Sequence, residues 1–444
     1  MSESTAEVRA RMREDWNRRA REDAHYYVAF GRRNQTDAEF FATGAEQVRA
    51  IEYELRRLPP ARARARRALE IGCGPGRLML PLSRHFGEIH GVDISDEMVR
   101  RARENLAGTP HAHAHHAPDS DLSGFADESF DLVYSYAVFQ HIPSRAIVMN
   151  YLAEAARVLK PGGIIRCQLN GLPKTARTYD TWAGVRISSD EVRAFCATNG
   201  LHLLALEGRD TQYMWTTMRK PPPPWTVSGV PGIRRVTNAH SSEPVAPVRG
   251  RFAALSLWME NLAEDADLNS LEVRVGGVPG FVTHVGHPEH DGLEQVNLLL
   301  PEGLRTGIHP VEAGLTDRRS IASSTVRLVP PGPPVPRVLS LTDGIDLLSG
   351  SRIVSGSGKA TIEEVETPER LRVMVGDREA LDTEFFCTDP RLPRYELNFR
   401  LPKGISRGPA PVRILLGARL IGQVWVDVSP PADSEPVRAG PQPA

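Results

Sequence analysis

Leu69-Glu70-Ile71-Gly72-Cys73-Gly74-Pro75-Gly76-Arg77-Leu78 runs from an apolar strand into a helix through three closely spaced glycines. Glycine permits a tight turn and a close backbone approach, which together leave main-chain N–H groups facing a ligand. The spacing is G-x-G-x-G, different from the G-x-G-x-x-G of dinucleotide binders. One strand later comes Gly91-Val-Asp-Ile-Ser95, which sets Asp93 at the end of the second strand. A carboxylate there, about 20 residues beyond the loop, suits the hydroxyl pair of a ribose. A glycine cluster alone could be no more than a tight βα turn; the pairing with Asp93 favours a nucleoside site.

Around this stretch, apolar strands alternate with amphipathic helices from Ala68 to Met218. The strands expected are Ala68–Ile71, Ile89–Asp93, Ala112–Ala117, Leu132–Ser135, Ile164–Asn170, Leu201–Glu207 and Thr211–Met218. Helices fit at Gly76–His85, Asp96–Leu106, Ala146–Val158 and Asp190–Asn199. Such alternation predicts a parallel sheet covered on both faces. Upstream, residues 4–23 and 37–57 read as helices, and Pro59-Pro60 breaks the second pattern.

The rest of the chain obeys a different rule. Of 36 prolines, 9 lie in residues 1–220 and 27 in 221–444, so the second half must be turn-rich and all-β. Pro221–Pro224 marks the change. Beyond it, three segments recur in order about 100 residues apart. Leu271–Gly276 returns as Leu371–Gly376, Val296–Gly303 as Leu397–Gly404, and Gly307 with Pro310-Val311 as Gly408 with Pro411-Val412. Two copies of one module follow, joined at Pro330–Pro336. The domains expected are 1–220 (helical cover 1–60), β-sandwiches at 225–330 and 335–430, and a disordered tail at 431–444.

The glycine loop, Gly91–Ser95, Asp127-Glu-Ser-Phe-Asp-Leu-Val133 and Glu154-Ala-Ala-Arg-Val-Leu-Lys-Pro-Gly-Gly163 together resemble class I S-adenosylmethionine-dependent methyltransferases of the type 11 group. The resemblance covers about residues 65–165. It implies an α/β, doubly wound, seven-stranded Rossmann-like sheet with S-adenosylmethionine across the C-terminal strand ends and S-adenosylhomocysteine as product. By resemblance, Glu70, Gly72, Cys73, Gly74 and Gly76 hold the methionyl part. Asp93 takes both ribose hydroxyls and Ile94 packs on adenine. An acid after the third strand accepts the adenine amino group; Asp119, with Ser120 beside it, is the choice, and Asp121 stays open. Ser135 lines the cofactor near the methionine. Each C-terminal repeat resembles bacterial immunoglobulin-like modules; the second copy lacks the second Gly and the Gln of the pattern.

Methyl transfer from a sulfonium is an in-line displacement, so catalysis is mostly alignment. A base is needed where the acceptor must lose its proton early. His141, after the fourth strand, is the candidate base or acceptor-positioning residue, with plain packing the other reading. Tyr26 and Tyr27 near the start, with Trp16 and His25, and Tyr179 with Trp182 after the fifth strand, could contact substrate or simply pack. The run His111-Ala-His-Ala-His-His116 alternates as an edge strand does and has no acid or cysteine at ligand spacing, so no metal is expected.

A net charge of −1, with 31 Lys+Arg against 28 Asp+Glu in residues 1–220, excludes a bulk electrostatic drive toward nucleic acid or anionic lipid. No apolar run approaches a membrane span, and four scattered cysteines without CxxC argue against disulfides and zinc. The expectation is a cytoplasmic methyltransferase acting on oxygen or nitrogen of a small metabolite or lipid-like acceptor. Two alternatives stay open: a glycan or protein acceptor recruited by the β-modules, and a binding protein without turnover.

Overall fold

The computed structural model describes residues 4–29, 35–174, 179–222, 229–250, 252–289, 291–316, 320–344, 351–389 and 393–429. The tail expected to be disordered, 431–444, lies outside the described residues, as do Pro223 and Pro224. The chain divides into two compact units, Met1–Ala24 with Ala38–Pro331 and His25–Asp37 with Gly332–Ala444. The first unit ends at Pro331 and includes residues 220–225 within it.

In the first unit, β1 (Arg67–Ile71), β2 (Glu88–Asp93), β3 (Ala112–His116), β4 (Phe130–Ser135) and β5 (Leu159–Leu169) are parallel. β6 (His202–Glu207) and β7 (Met214–Arg219) close this part, with β7 antiparallel to both neighbours, in the order β3-β2-β1-β4-β5-β7-β6. The central strands β1 and β4 are buried at nearly every position, as a sheet covered on both faces requires.

The helices are α1 (Thr5–Val28), α2 (Asp37–Glu54), α3 (Met79–Leu82), α4 (Asp96–Asn105), α5 (Arg145–Val158) and α6 (Ser189–Thr198). α1 has one extended residue, Asp23, and the boundary between the units follows it. The helix expected over Gly76–His85 shrinks to α3 and a 3-10 turn. Gly76 at φ +85° cannot be helical, and Pro81 supplies no N–H to the first turn. Serines cap α4, α5 and α6, and Ser188 with Glu191 completes a capping box on α6.

The sheet does not stop at seven strands. The next strands are β8 (Gly232–Asn238), β9 (Val245–Pro247), β10 (Ala254–Glu260), β11 (Leu271–Val275), β12 (Val278–Pro279), β13 (Phe281–Val285), β14 (Glu294–Leu299), β15 (Gly307–Leu315) and β16 (Ser320–Val329). β13 pairs antiparallel with β6 at His284 and Ala205, and the order continues β6-β13-β14-β10-β8, giving eleven strands in one sheet. A second sheet, β12-β11-β15-β16-β9, covers the inner side of the added strands. One buried cluster accordingly runs from Val8 and Leu69 through Met218 to Val273 and Leu328.

The second unit repeats this pattern. Its strands are β17 (Arg337–Asp343), β18 (Arg352–Ile353), β19 (Ser357–Glu363), β20 (Leu371–Val375), β21 (Arg378–Glu379), β22 (Leu381–Asp389), β23 (Arg394–Arg400), β24 (Gly408–Leu416) and β25 (Arg419–Val428). Their orders, β17-β19-β23-β22 and β18-β25-β24-β20-β21, are those of β8-β10-β14-β13 and β9-β16-β15-β11-β12. The repeat legible in the sequence is thus a repeat of two-sheet, all-β architecture. Among the described residues, no helix is long and apolar enough to cross a membrane.

Candidate functional site

Because β1, β2, β4 and β5 are parallel, Gly72, Asp93, Ser135 and Leu169 come to the same edge of the sheet. This is the carboxyl edge, where open α/β sheets take their ligands. Gly72, Gly74 and Gly76 all sit at positive φ (+74°, +51°, +85°). A Cβ on Gly72 would meet Val138 Cγ2 at 2.4 Å, so the loop has no room for a side chain. The N–H groups of Gly72 and Cys73 donate to the Val92 carbonyl at 2.8 and 3.0 Å, tying the loop to β2.

Asp93 holds the loop from the other side. Its Oδ2 accepts from the Gly74 N–H at 2.9 Å and its Oδ1 from the Ser95 N–H at 2.9 Å. Burial raises the Asp93 carboxyl above its usual range, against the lowering effect of those two donors. Each oxygen keeps a second lone pair for a ribose hydroxyl. Ile94, next in the chain, is buried beside it.

Glu70 is buried one residue before the end of β1. It accepts from the Tyr134 hydroxyl at 2.8 Å, and burial pushes its carboxyl up to about 8. Cys73 is buried behind the loop, its thiol pushed well above its usual range by burial. The Ser135 hydroxyl donates to the Ile71 carbonyl at 2.9 Å and so fastens β4 to β1.

After β3, Ser120 lies at φ +54° with its hydroxyl buried beside the Tyr151 hydroxyl. Asp121 accepts from the N–H and hydroxyl of Ser123, at 3.2 and 2.8 Å, whereas the Asp119 side chain is exposed and unengaged among the described residues. These residues fit a nucleoside with an amino-acid tail. There is a glycine cradle that a Cβ would fill, and a buried carboxylate at the end of β2 whose oxygens accept from the cradle and from Ser95.

α1 crosses the same carboxyl edge. Arg9 Nη1 donates to the Asp119 carbonyl at 2.7 Å. Asn17 Oδ1 accepts from the Ser95 hydroxyl at 2.6 Å, and its Nδ2 donates to Asp96 at 2.7 Å. Arg19 donates twice to Thr181, at 3.0 Å to its carbonyl and 3.0 Å to its hydroxyl, and the Thr181 hydroxyl donates to Asp15 at 2.7 Å. Trp16 meets His141 edge-on with ring centroids 5.7 Å apart. Loops after β2, β3, β4 and β5 are therefore all fastened to one helix.

His141 sits in a 3-10 turn, Phe139–His141, after β4. Its Nδ1 is 3.1 Å from the Trp182 carbonyl and its Nε2 3.3 Å from the Gln140 amide nitrogen. The carbonyl fixes Nδ1 as the donor and leaves Nε2 as the acceptor. Burial and the neighbouring Arg19 lower its pKa to about 4, so the ring is neutral at pH 7. Gln168, on β5, joins this turn by donating to Gln140 at 2.7 Å and accepting from the Ala137 N–H at 3.1 Å.

Tyr179 packs partly buried against the main core. Tyr26 and Tyr27, edge to face at 5.1 Å, belong to the second unit.

Sequence reasoning missed the contribution of Arg77, Tyr134, Gln140 and Gln168. Arg77 directly follows the last loop glycine, and Tyr134 directly precedes Ser135 on β4. Those positions were the available signals.

The polyhistidine run is absorbed by the fold. His111 Nε2 lies 3.1 Å from the Ser83 carbonyl, His116 Nε2 3.1 Å from the Ile94 carbonyl, and His115 Nε2 3.0 Å from His90 Nδ1.

Residues 69–167 match a family model described as a methyltransferase domain. The chain is 36% identical over 107 residues to a trans-aconitate 2-methyltransferase of Rhodopseudomonas palustris, covering 23% of this chain and 38% of that protein. It is 32% identical over 99 residues to a ubiquinone biosynthesis O-methyltransferase of Sinorhizobium fredii, covering 22% and 39%. A solved structure of phosphoethanolamine N-methyltransferase 1 from Haemonchus contortus, with phosphoethanolamine and S-adenosylhomocysteine, aligns over 50% of each chain at 14% identity and a TM-score of 0.39. The chain thus spans less than half the length of the curated relatives it matches. The glycine loop, Asp93 and Ser135 all lie inside the segment that matches a methyltransferase domain.

Proposed function

We propose that this chain transfers a methyl group from S-adenosylmethionine to an oxygen or nitrogen of a small metabolite or lipid-like acceptor, in the cytoplasm. The observation that carries the reading is the grip of Asp93 on Gly74, which presets a glycine cradle and a ribose-seeking carboxylate as one unit. Four cysteines without disulfides suit a reducing compartment. Bound S-adenosylmethionine supplies an electrophilic methyl on a sulfonium sulfur.

The chain's own residues bind and orient. Gly72, Cys73, Gly74 and Gly76 offer backbone to the methionyl part, with Glu70 beneath and Ser135 bracing the loop. Asp93 accepts the ribose hydroxyls and Ile94 faces the adenine. Asp119, its carboxylate unengaged, accepts the adenine amino group with Ser120 beside it, while Asp121 is spent on Ser123. α1 excludes water from above. His141, neutral and with its proton on Nδ1, offers Nε2 to an acceptor N–H or O–H in exchange for the Gln140 amide that donates to it at 3.3 Å. A pKa near 4 makes it a weak proton sink, so its role is orientation rather than deprotonation. Tyr179 borders the acceptor side. We read the two all-β repeats as immunoglobulin-like modules, with the second a candidate surface for a protein or glycan partner.

Calorimetric titration of the full chain with S-adenosylhomocysteine tests the reading. Wild type binds, and Asp93→Asn binds at least about tenfold more weakly, as the loss of a charge-assisted acceptor predicts. No binding by wild type overturns the cofactor assignment. Methyl transfer to small acceptors by a chain ending at Pro331 supports a small substrate. Transfer only to polymers, and only by the full chain, overturns it in favour of a recruited macromolecule.

A further inference from the structure

Arg77 is 5% exposed, yet no carboxylate among the described residues lies within ion-pairing distance of it. Its Nη1 donates to the Thr43 hydroxyl at 3.2 Å, and its buried Nε has no partner. Two other buried arginines of this unit are satisfied by acids: Arg57 by Glu54 at 2.6 Å and Arg166 by Glu207 at 2.9 Å. A buried guanidinium without an anion is costly, and proteins seldom keep one without a use.

The side chain is also held in place. Its guanidinium carbon lies 5.7 Å from the Tyr136 ring centroid and 6.0 Å from that of Phe40. Tyr136 is in turn stacked on Trp215 at 5.4 Å, and Trp215 on Arg166 at 4.8 Å. Gly44 lets α2 press against the loop: a Cβ there would meet the Arg77 carbonyl at 2.5 Å. Among the described residues the one acid in electrostatic reach, Glu70, keeps its proton at neutral pH. With Nη1 on Thr43, the edge formed by Nε and Nη2 is left over, and that edge matches a carboxylate in bidentate fashion.

We propose that Arg77 binds a carboxylate of the ligand held at the glycine loop, through Nε and Nη2. The inference rests on the cofactor reading above. Two sources present this chemistry, the α-carboxylate of the cofactor and a carboxylate on the acceptor.

The test compares wild type, Arg77→Met and Arg77→Lys by calorimetry with three probes. These are S-adenosylhomocysteine, 5′-methylthioadenosine (which lacks the amino-acid tail), and trans-aconitate added to the S-adenosylhomocysteine complex. If the cofactor is the source, S-adenosylhomocysteine binding falls about 10- to 100-fold in Arg77→Met. Methylthioadenosine binding holds, and Arg77→Lys is intermediate. If the acceptor is the source, both nucleosides bind normally and trans-aconitate binding is lost. Equal losses for both nucleosides, or no loss for any probe, overturn the proposal. Wild type binding neither nucleoside overturns the cofactor reading and this inference with it. Thermal unfolding of each variant checks the fold, and Arg77→Lys keeps the test alive should Arg77→Met not fold.

Discussion

Tyr134 and Glu70 share a hydrogen bond of 2.8 Å in surroundings closed to water, with the phenol donating to the carboxyl group. Burial raises Glu70 to about 8, so the folded chain holds a proton there that the unfolded chain gives up near 4.5. Stability from this group is complete below pH 4.5 and is lost as pH rises through 8. Over that interval it declines by about 1.4 kcal/mol per pH unit. Urea midpoints of wild type should therefore drop between pH 6 and 8 more steeply than those of Glu70→Gln. Parallel curves for the two proteins would count against a protonated Glu70.

Gly72→Ala adds a methyl 2.4 Å from Val138 Cγ2 at a backbone angle of +74°. A loss of roughly 2 kcal/mol or more is expected, read as a lower thermal midpoint, together with weaker S-adenosylhomocysteine binding. Adding Val138→Ala should return only part of it. That change removes the clash and leaves the backbone strain.

Cutting the chain after residue 222 would strip β13 from β6 and open the shared core. Arg57 would lose the Val285 carbonyl, to which it donates at 2.6 Å, and Arg193 would lose the Leu268 carbonyl. A fragment of residues 1–222 should aggregate or unfold without cooperativity. A fragment of residues 1–331 should unfold in one transition and bind S-adenosylhomocysteine. Equal behaviour of the two fragments would mean that the first β-module contributes nothing to the fold of the domain before it.

His284 stands at that junction, 3.5 Å from Arg57 Nη2, and burial lowers its pKa to about 4. A depressed histidine gives stability that is present above pH 6.5 and lost as pH falls toward 4. His284→Asn should flatten the acid limb of the stability curve of the 1–331 fragment between pH 6.5 and 4. An unchanged acid limb would show that the ring is protonated in the folded chain.

The glycine turn after β1, Asp93 and the tandem repeat were legible because each leaves a local mark: glycine spacing, an acid at a strand end, and a recurring run such as Leu271–Gly276. The union of β6 with β13 leaves none. It is made by backbone pairing at His284 and Ala205, residues 79 apart, and no side-chain pattern announces it. The proline boundary near 220 was real as a change of composition, yet a sheet can run straight across such a change.

Arg77 was in plain view within the loop. Its isolation depends on Phe40 and Thr43, which arrive from α2 more than 30 residues upstream. Ser123 likewise engages Asp121 and not Asp119, a difference that sequence spacing does not reveal.

The pairing of His284 with Ala205 also sets a schedule for synthesis. β6 leaves the ribosome with its outer edge bare, and its partner strand follows 79 residues later. At about 5–20 residues per second, that edge waits roughly 4–16 s for cover. During this interval it is a template for any other strand in the cell. Slowing translation between residues 205 and 285 should therefore lower the soluble yield, even though the finished protein is the same.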